Sequence, residues 1–202
     1  GNGYFFRTDI QGFLPELMQE LYDDRVKFKD LQLDAKRSGD DENVAEYETR
    51  QMARKISLNS AYGALGNEYF RYFDIRQAEA ITKSGQLAIR WIERELNEYL
   101  NQTFQTEDED FVVASDTDSV YITLSLLVER YFGTITDKNK IVDAIDKFCR
   151  DKVEPFIEQS YQRLADYMGA YQQRMVMKRE VIADKGIWTA KKRYVLSVWD
   201  SE

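Results

Sequence analysis

Two short apolar runs, Phe111-Val112-Val113-Ala114 and Val120-Tyr121-Ile122-Thr123, flank Ser115-Asp116-Thr117-Asp118-Ser119. A link this short has no room for a crossover, so the runs pair as an antiparallel hairpin. Around it lie long stretches with the three- and four-residue apolar spacing of helices. The first covers residues 14 to 36, with Leu17, Met18, Leu21, Phe28, Leu31 and Ala35 in register and Pro15 in its first turn. Ser38-Gly39-Asp40-Asp41 interrupts it, and a second helix follows from about Val44 to Leu58 or slightly beyond. Helices joined so tightly pack as an antiparallel hairpin.

Asp74 suits the N-cap of a further helix reaching about Asn101, with Ile75, Ala78, Ile81, Ala88, Ile92, Leu96 and Tyr99 on its apolar stripe. Another helix is expected over residues 140 to 168, bent at Pro155 and stopped by Gly169. Residues 175 to 183 and 193 to 199 read as strands around a Lys185-Gly186 turn, with Met175 and Met177 filling core. The order is helical hairpin first, then helices alternating with antiparallel strands. This is an α+β pattern and not a doubly wound parallel sheet.

Composition narrows the chemistry. The chain has 202 residues, no histidine and one cysteine, Cys149. A disulfide framework within the chain is excluded, a reducing compartment such as the cytoplasm is the default, and Ser-His or Cys-His nucleophile pairs are absent. Metal chemistry must then rely on carboxylates, which suit hard ions such as magnesium or manganese. No apolar run is long enough for a membrane span. The net charge of −8 argues at first sight against a nucleic-acid partner, but it is local. Residues 93 to 118 hold nine carboxylates and one arginine, whereas residues 174 to 194 hold seven basic and two acidic side chains.

Three features can carry chemistry. Asp116 and Asp118 at one turn repel each other unless solvent or a cation relieves them, and such a pair can hold two ions in nucleotidyl transfer. An ordinary Asx-rich turn has the same residues. On the second helix Gln51, Lys55 and Asn59 share a face, with Tyr62 and Gly63 one turn on, and Arg25 and Lys29 of the first helix are expected to face it. Together they would bind a triphosphate; the alternative is a solvated helix face. Lastly, Lys191-Lys192-Arg193-Tyr194 suits a phosphate backbone, or is simply an exposed basic turn.

Taken together, these motifs resemble B-family replicative DNA polymerases, most closely those of large tailed bacteriophages. Arg54-Lys55-Ile56-Ser57-Leu58-Asn59-Ser60-Ala61-Tyr62-Gly63 resembles the fingers motif, Asp116-Thr117-Asp118-Ser119 the palm motif, and Lys191-Lys192-Arg193-Tyr194 the primer-side lysine motif. All three stand in the family's order. The resemblance implies a fingers helical hairpin over residues 1–66 and a partial palm over 67–202, its antiparallel strands packed on long helices. It implies that Lys55, with Arg25, Lys29 and Asn59, binds the incoming deoxynucleotide triphosphate, and that Tyr62 and Gly63 border the nascent base pair. Asp118 and Asp116 would hold Mg2+ or Mn2+, two ions in a complete site, with Glu180 in support. Lys191, Lys192, Arg193 and Tyr194 would touch primer–template DNA.

The family also has an earlier palm aspartate, a proofreading exonuclease and a thumb, none of which this sequence contains. The chain opens at Gly1-Asn2-Gly3, which implies processing, a tag remnant or an internal piece. The expectation is a polymerase fragment, inactive alone, whose missing segments are supplied in cis or in trans. A phage-encoded chain would work in the host cytoplasm. The alternative is a non-catalytic nucleotide- or DNA-binding assembly module derived from a polymerase.

Overall fold

The computed structural model describes residues 2–133 and 137–201. The chain divides into two compact units, Gly1–Lys83 and Ser84–Glu202. In the first, α1 (Phe13–Ser38) and α2 (Asp41–Leu65) form a hairpin. Gly39 ends α1 with φ +72, a left-handed conformation that glycine adopts without a Cβ penalty. The Asp40 N–H then donates to the Ala35 carbonyl at 3.0 Å, while its carboxylate caps α2 by accepting from the Asn43 backbone at 3.2 Å and side chain at 2.6 Å. One two-residue link therefore terminates one helix and starts the next.

The antiparallel sense follows from the contacts. Phe28 stacks on Tyr47 at 6.3 Å, and one turn earlier on α1 Asp24 accepts from Arg54, two turns later on α2, at 3.3 Å. Arg54 also lies over the Phe28 ring at 4.9 Å. α2 runs well past Leu58, so Asn59 to Gly63 are helical. α3 (Ile75–Phe104) begins where Asp74 accepts from the Arg76 N–H at 3.0 Å, as expected of an N-cap, and spans the division between the units.

The second unit contains the main core. Ala88, Ile92, Leu96, Leu100 and Phe104 recur every four residues along α3 and are all buried. The first three pack with Val112 of β1 (Val112–Asp116) and with Val153, Ile157, Tyr161 and Leu164. Leu100 and Phe104 pack instead with Phe111 and with Leu127 of α4 (Ser125–Phe132), a short helix the periodicity did not reveal. β1 pairs with β2 (Ser119–Ile122), and a bulge between Val112 and Ala114 leaves Val113 exposed.

The single helix expected over residues 140 to 168 is interrupted. α5 (Lys138–Phe148) and α6 (Glu154–Met168) are joined by a π-helical turn, Cys149–Val153. Pro155 explains the break: without an N–H, and with a ring that crowds the carbonyl four residues earlier, it favours a widened turn just before it. Buried Ser160 of α6 accepts from Trp91 Nε1 at 3.0 Å and donates to Glu95 at 3.2 Å, and Arg163 also donates to Glu95.

The last hairpin corrects the sequence reading. β3 is Val181–Ala190 and β4 is Arg193–Ser201, so the turn falls at Lys191-Lys192 and not at Lys185-Gly186. Gly186 lies mid-strand, opposite Leu196. A Cβ there would come within 2.6 Å of the Trp188 ring and 2.9 Å of Leu196, so the glycine makes room for an indole. Residues 175 to 180 are not strand; Met177 packs on the core but Met175 is 43% exposed. Arg179 fixes the hairpin's base, donating to Asp146 of α5 at 2.5 and 3.0 Å and to Asp200 of β4 at 2.6 Å.

Candidate active site

The β1–β2 turn is built from its own side chains. Asp116 and Ser119 are cross-strand partners, leaving only Thr117-Asp118 between them. Thr117 takes φ +58, and the Asp118 N–H donates back to the Asp116 carbonyl at 2.7 Å. The Ser119 hydroxyl donates to the same carbonyl at 3.1 Å, and the Thr117 hydroxyl to the Asp116 carboxylate at 2.9 Å. The turn therefore keeps both carboxylates at one end of a short hairpin, Asp116 half-buried and Asp118 exposed.

Two tyrosines sense this charge. The buried hydroxyl of Tyr161 on α6 is pushed above its ordinary pKa by burial and then by the negative charge of Asp118. Tyr121 of β2 is pushed up by burial and by a hydrogen bond with Tyr194; Ser119 opposes the rise, and Asp116 adds to it.

Tyr194 belongs to the basic turn. Lys191, Lys192 and Arg193 are exposed at the tip of the β3–β4 hairpin, where Lys192 takes φ +63. Tyr194 is the cross-strand partner of Trp188, and their rings stack at 6.3 Å. Tyr121 meets both edge-on, Trp188 at 5.4 Å and Tyr194 at 5.3 Å. Motifs more than seventy residues apart in sequence thus share an aromatic junction. Neither Tyr121, Trp188 nor Tyr161 was singled out from sequence. An aromatic in a strand signals burial, not which other strand it will meet.

The remaining candidates lie on the first unit. The α2 side chains that meet α1 include Tyr47, Arg50 and Arg54. Lys55 sits about 100° further round the helix and is exposed, as are Asn59 and, on α1, Lys29. Arg25 is half-buried, and its Nε has no hydrogen-bond partner among the described residues. The Tyr62 hydroxyl is 2.8 Å from that of Thr82, and the space beside Gly63 is open.

Asp116 and Asp118 offer hard oxygen donors of the kind magnesium prefers. Among the described residues no cluster of three or more carboxylates or thiols is arranged to hold an ion, and Glu180 is exposed on the segment before β3. Nor is any described helix long and apolar enough to cross a membrane. The pair fits such an ion chemically as part of a donor set.

Comparison with known proteins agrees with the motif pattern. Residues 2–164 match the model of DNA polymerase family B. Over 163 residues the chain is 47% identical to the DNA-directed DNA polymerase of Escherichia phage RB69 and 46% identical to that of Enterobacteria phage T4. In each case 76% of this chain and 18% of the relative are covered, so the chain spans under a fifth of these relatives' length. It is also 30% identical over 122 residues to the DNA polymerase delta catalytic subunit of Drosophila melanogaster, covering 60% of this chain and 11% of that one. The family match takes in both aspartates and the α1–α2 hairpin, and stops before the basic turn. The chain belongs to DNA polymerase family B.

Proposed function

We propose that this chain is the fingers and partial-palm portion of a DNA-directed DNA polymerase that adds deoxynucleotides to a primer 3′ end. Besides family membership, the observation that carries the reading is the aromatic junction joining the Asp116/Asp118 turn to the Lys191–Tyr194 turn within the second unit. Template-directed nucleotidyl transfer needs carboxylates at the reacting phosphate and cations along the primer strand, and these two turns supply one of each.

The roles divide by residue. Asp118, with Asp116, would hold magnesium or manganese; when bound, such ions neutralise charge on the attacking and leaving oxygens. Lys192, with Lys191 and Arg193, holds the primer-end phosphates, and Tyr194 braces them. In the first unit Lys55 binds the triphosphate and supplies a proton to the departing pyrophosphate, with Arg25, Lys29 and Asn59 completing the phosphate grip. Tyr62 and the open space at Gly63 border the nascent pair, where a flat surface accepts only a well-formed one. In the reaction the primer 3′ hydroxyl gives up its proton to solvent and its oxygen bonds to the α-phosphorus as the bond to pyrophosphate breaks.

The missing palm aspartate, exonuclease and thumb would be supplied in cis or in trans. The second reading is a non-catalytic module that keeps the fold and binds nucleotide or DNA without turnover. The two separate in a primer-extension assay. Adding a segment that carries the first palm aspartate should give magnesium-dependent extension that Lys55→Ala greatly weakens. A complex that binds DNA and triphosphate yet never extends the primer would favour the module.

A further inference from the structure

We propose that Trp188, seated against Gly186 and clasped between Tyr121 and Tyr194, is a positioning residue that holds the basic turn in register with the carboxylate turn. The inference rests on the primer-side reading of Lys191–Tyr194 given above and adds residues to it.

Four observations converge. First, the two hairpins belong to separate two-stranded sheets with no shared ladder, so backbone hydrogen bonds do not set the spacing between their tips. Side chains must do so. Second, the three rings form a closed triangle, with Tyr121 edge-on to Trp188 at 5.4 Å and to Tyr194 at 5.3 Å, and Trp188 and Tyr194 stacked at 6.3 Å. Tyr121 lies only two residues beyond Ser119, and Tyr194 only two beyond Lys192, so the triangle links the bases of the two turns.

Third, Gly186 leaves a floor for the indole. Residues 186 and 188 lie on the same face of β3, and a methyl at 186 would sit 2.6 Å from two Trp188 ring carbons, closer than packing allows. Fourth, the cluster is not an interior core. Trp188 is 38% and Tyr194 43% exposed, so these rings lie at the surface where the two turns project. Aromatic pairs of this geometry prefer particular angles, and a closed triangle restricts hairpin motion more than one apolar contact would.

The clasp predicts that a neutral side chain governs how many phosphates the basic turn engages. The test uses the 202-residue chain and a labelled primer–template duplex, with Kd followed by fluorescence anisotropy across a salt series. Lys192→Ala should raise Kd several-fold and reduce the slope of log Kd against log salt by about 1. Trp188→Ala should lose the same slope although it removes no charge, and the double variant should lose no more than either single one. Trp188→Phe should keep the slope, and Gly186→Ala should follow Trp188→Ala; these two also settle the matter if Trp188→Ala unfolds. A Lys192→Ala chain with unchanged Kd and slope would overturn the primer-side reading and the clasp with it. A Lys192→Ala effect alongside a full slope in Trp188→Ala or Gly186→Ala, or losses that add in the double variant, would overturn the clasp alone.

Discussion

The two units are held together by different means. In the second, α3 contributes a stripe of buried side chains at every fourth residue, and both strands of the first hairpin and α6 pack around it. In the first, α2 has no buried residue, and α1 buries only Gln32 and Ala35. That hairpin relies on a cap, a ring stack and an arginine lying over a phenylalanine. The contrast teaches where each unit can vary. A helix pair with little core depends on its cap and on a few contacts between the two helices, and leaves its outward side chains exposed. A unit with a core can hold two aspartates at a tight turn whose backbone includes a left-handed residue, because packing elsewhere secures the strands that carry it.

Substitutions can break that contrast directly. Ile92→Ala, at a fully buried position, should cost about 2–5 kcal/mol in chemical denaturation. Ile56→Ala, at a position 59% exposed on α2, should fall within about 0.5 kcal/mol of the parent. A loss at residue 56 comparable to that at 92 would mean the hairpin is packed in solution as the second unit is. Asp40→Ala removes the α2 cap and should loosen the start of that helix, read most cleanly as faster amide exchange across the first turns of α2. Exchange unchanged there would show that Asp40 does not hold the start of α2.

Two titrations sharpen the comparison from the side of the second unit. Burial would raise the Glu95 carboxyl, but hydrogen bonds and charge from Arg163, with Ser160 and Arg94 assisting, hold it below its ordinary value near 4.5. A depressed folded pKa means this stabilisation is present above the unfolded value and is lost as pH falls through the folded one. Unfolding midpoints should therefore drop on acidification below about 4.5, and the drop should be smaller in Glu95→Gln. An identical acid profile in that variant would assign the loss elsewhere.

The smallest effect concerns Cys149, whose thiol is pushed up to about 11, mainly by burial. It should resist alkylation near neutral pH until the unit unfolds. A raised folded pKa places its contribution to stability below the unfolded value, declining as pH rises towards 11. Rapid alkylation of the native chain would show that the π-helical turn opens.

Much of this architecture can be read from sequence, and the exceptions have physical causes. The helical hairpin is legible because Gly39-Asp40 combines a stop signal with a start signal between periodic segments. The first β-hairpin is legible because apolar runs flank two turn residues. The second misleads: Lys191-Lys192 carries no turn chemistry, whereas Gly186 looks like a turn but serves an indole. α4 is too short for its periodicity to show, and the π-turn before Pro155 depends on local backbone crowding. At the candidate site the carboxylates and cations stand out by type and spacing. Their junction does not, since Tyr121, Trp188 and Tyr194 look like any strand aromatics until the hairpins meet.

The turn bearing Asp118 is the proposed seat of nucleotidyl transfer. The most direct measurement is magnesium-dependent primer extension by this chain, completed with a segment carrying the first palm aspartate, beside the same assembly with Asp118→Ala. Extension is expected in the parent and none in the variant, with primer–template binding retained in both. Extension at the parental rate in the Asp118→Ala assembly would contradict it.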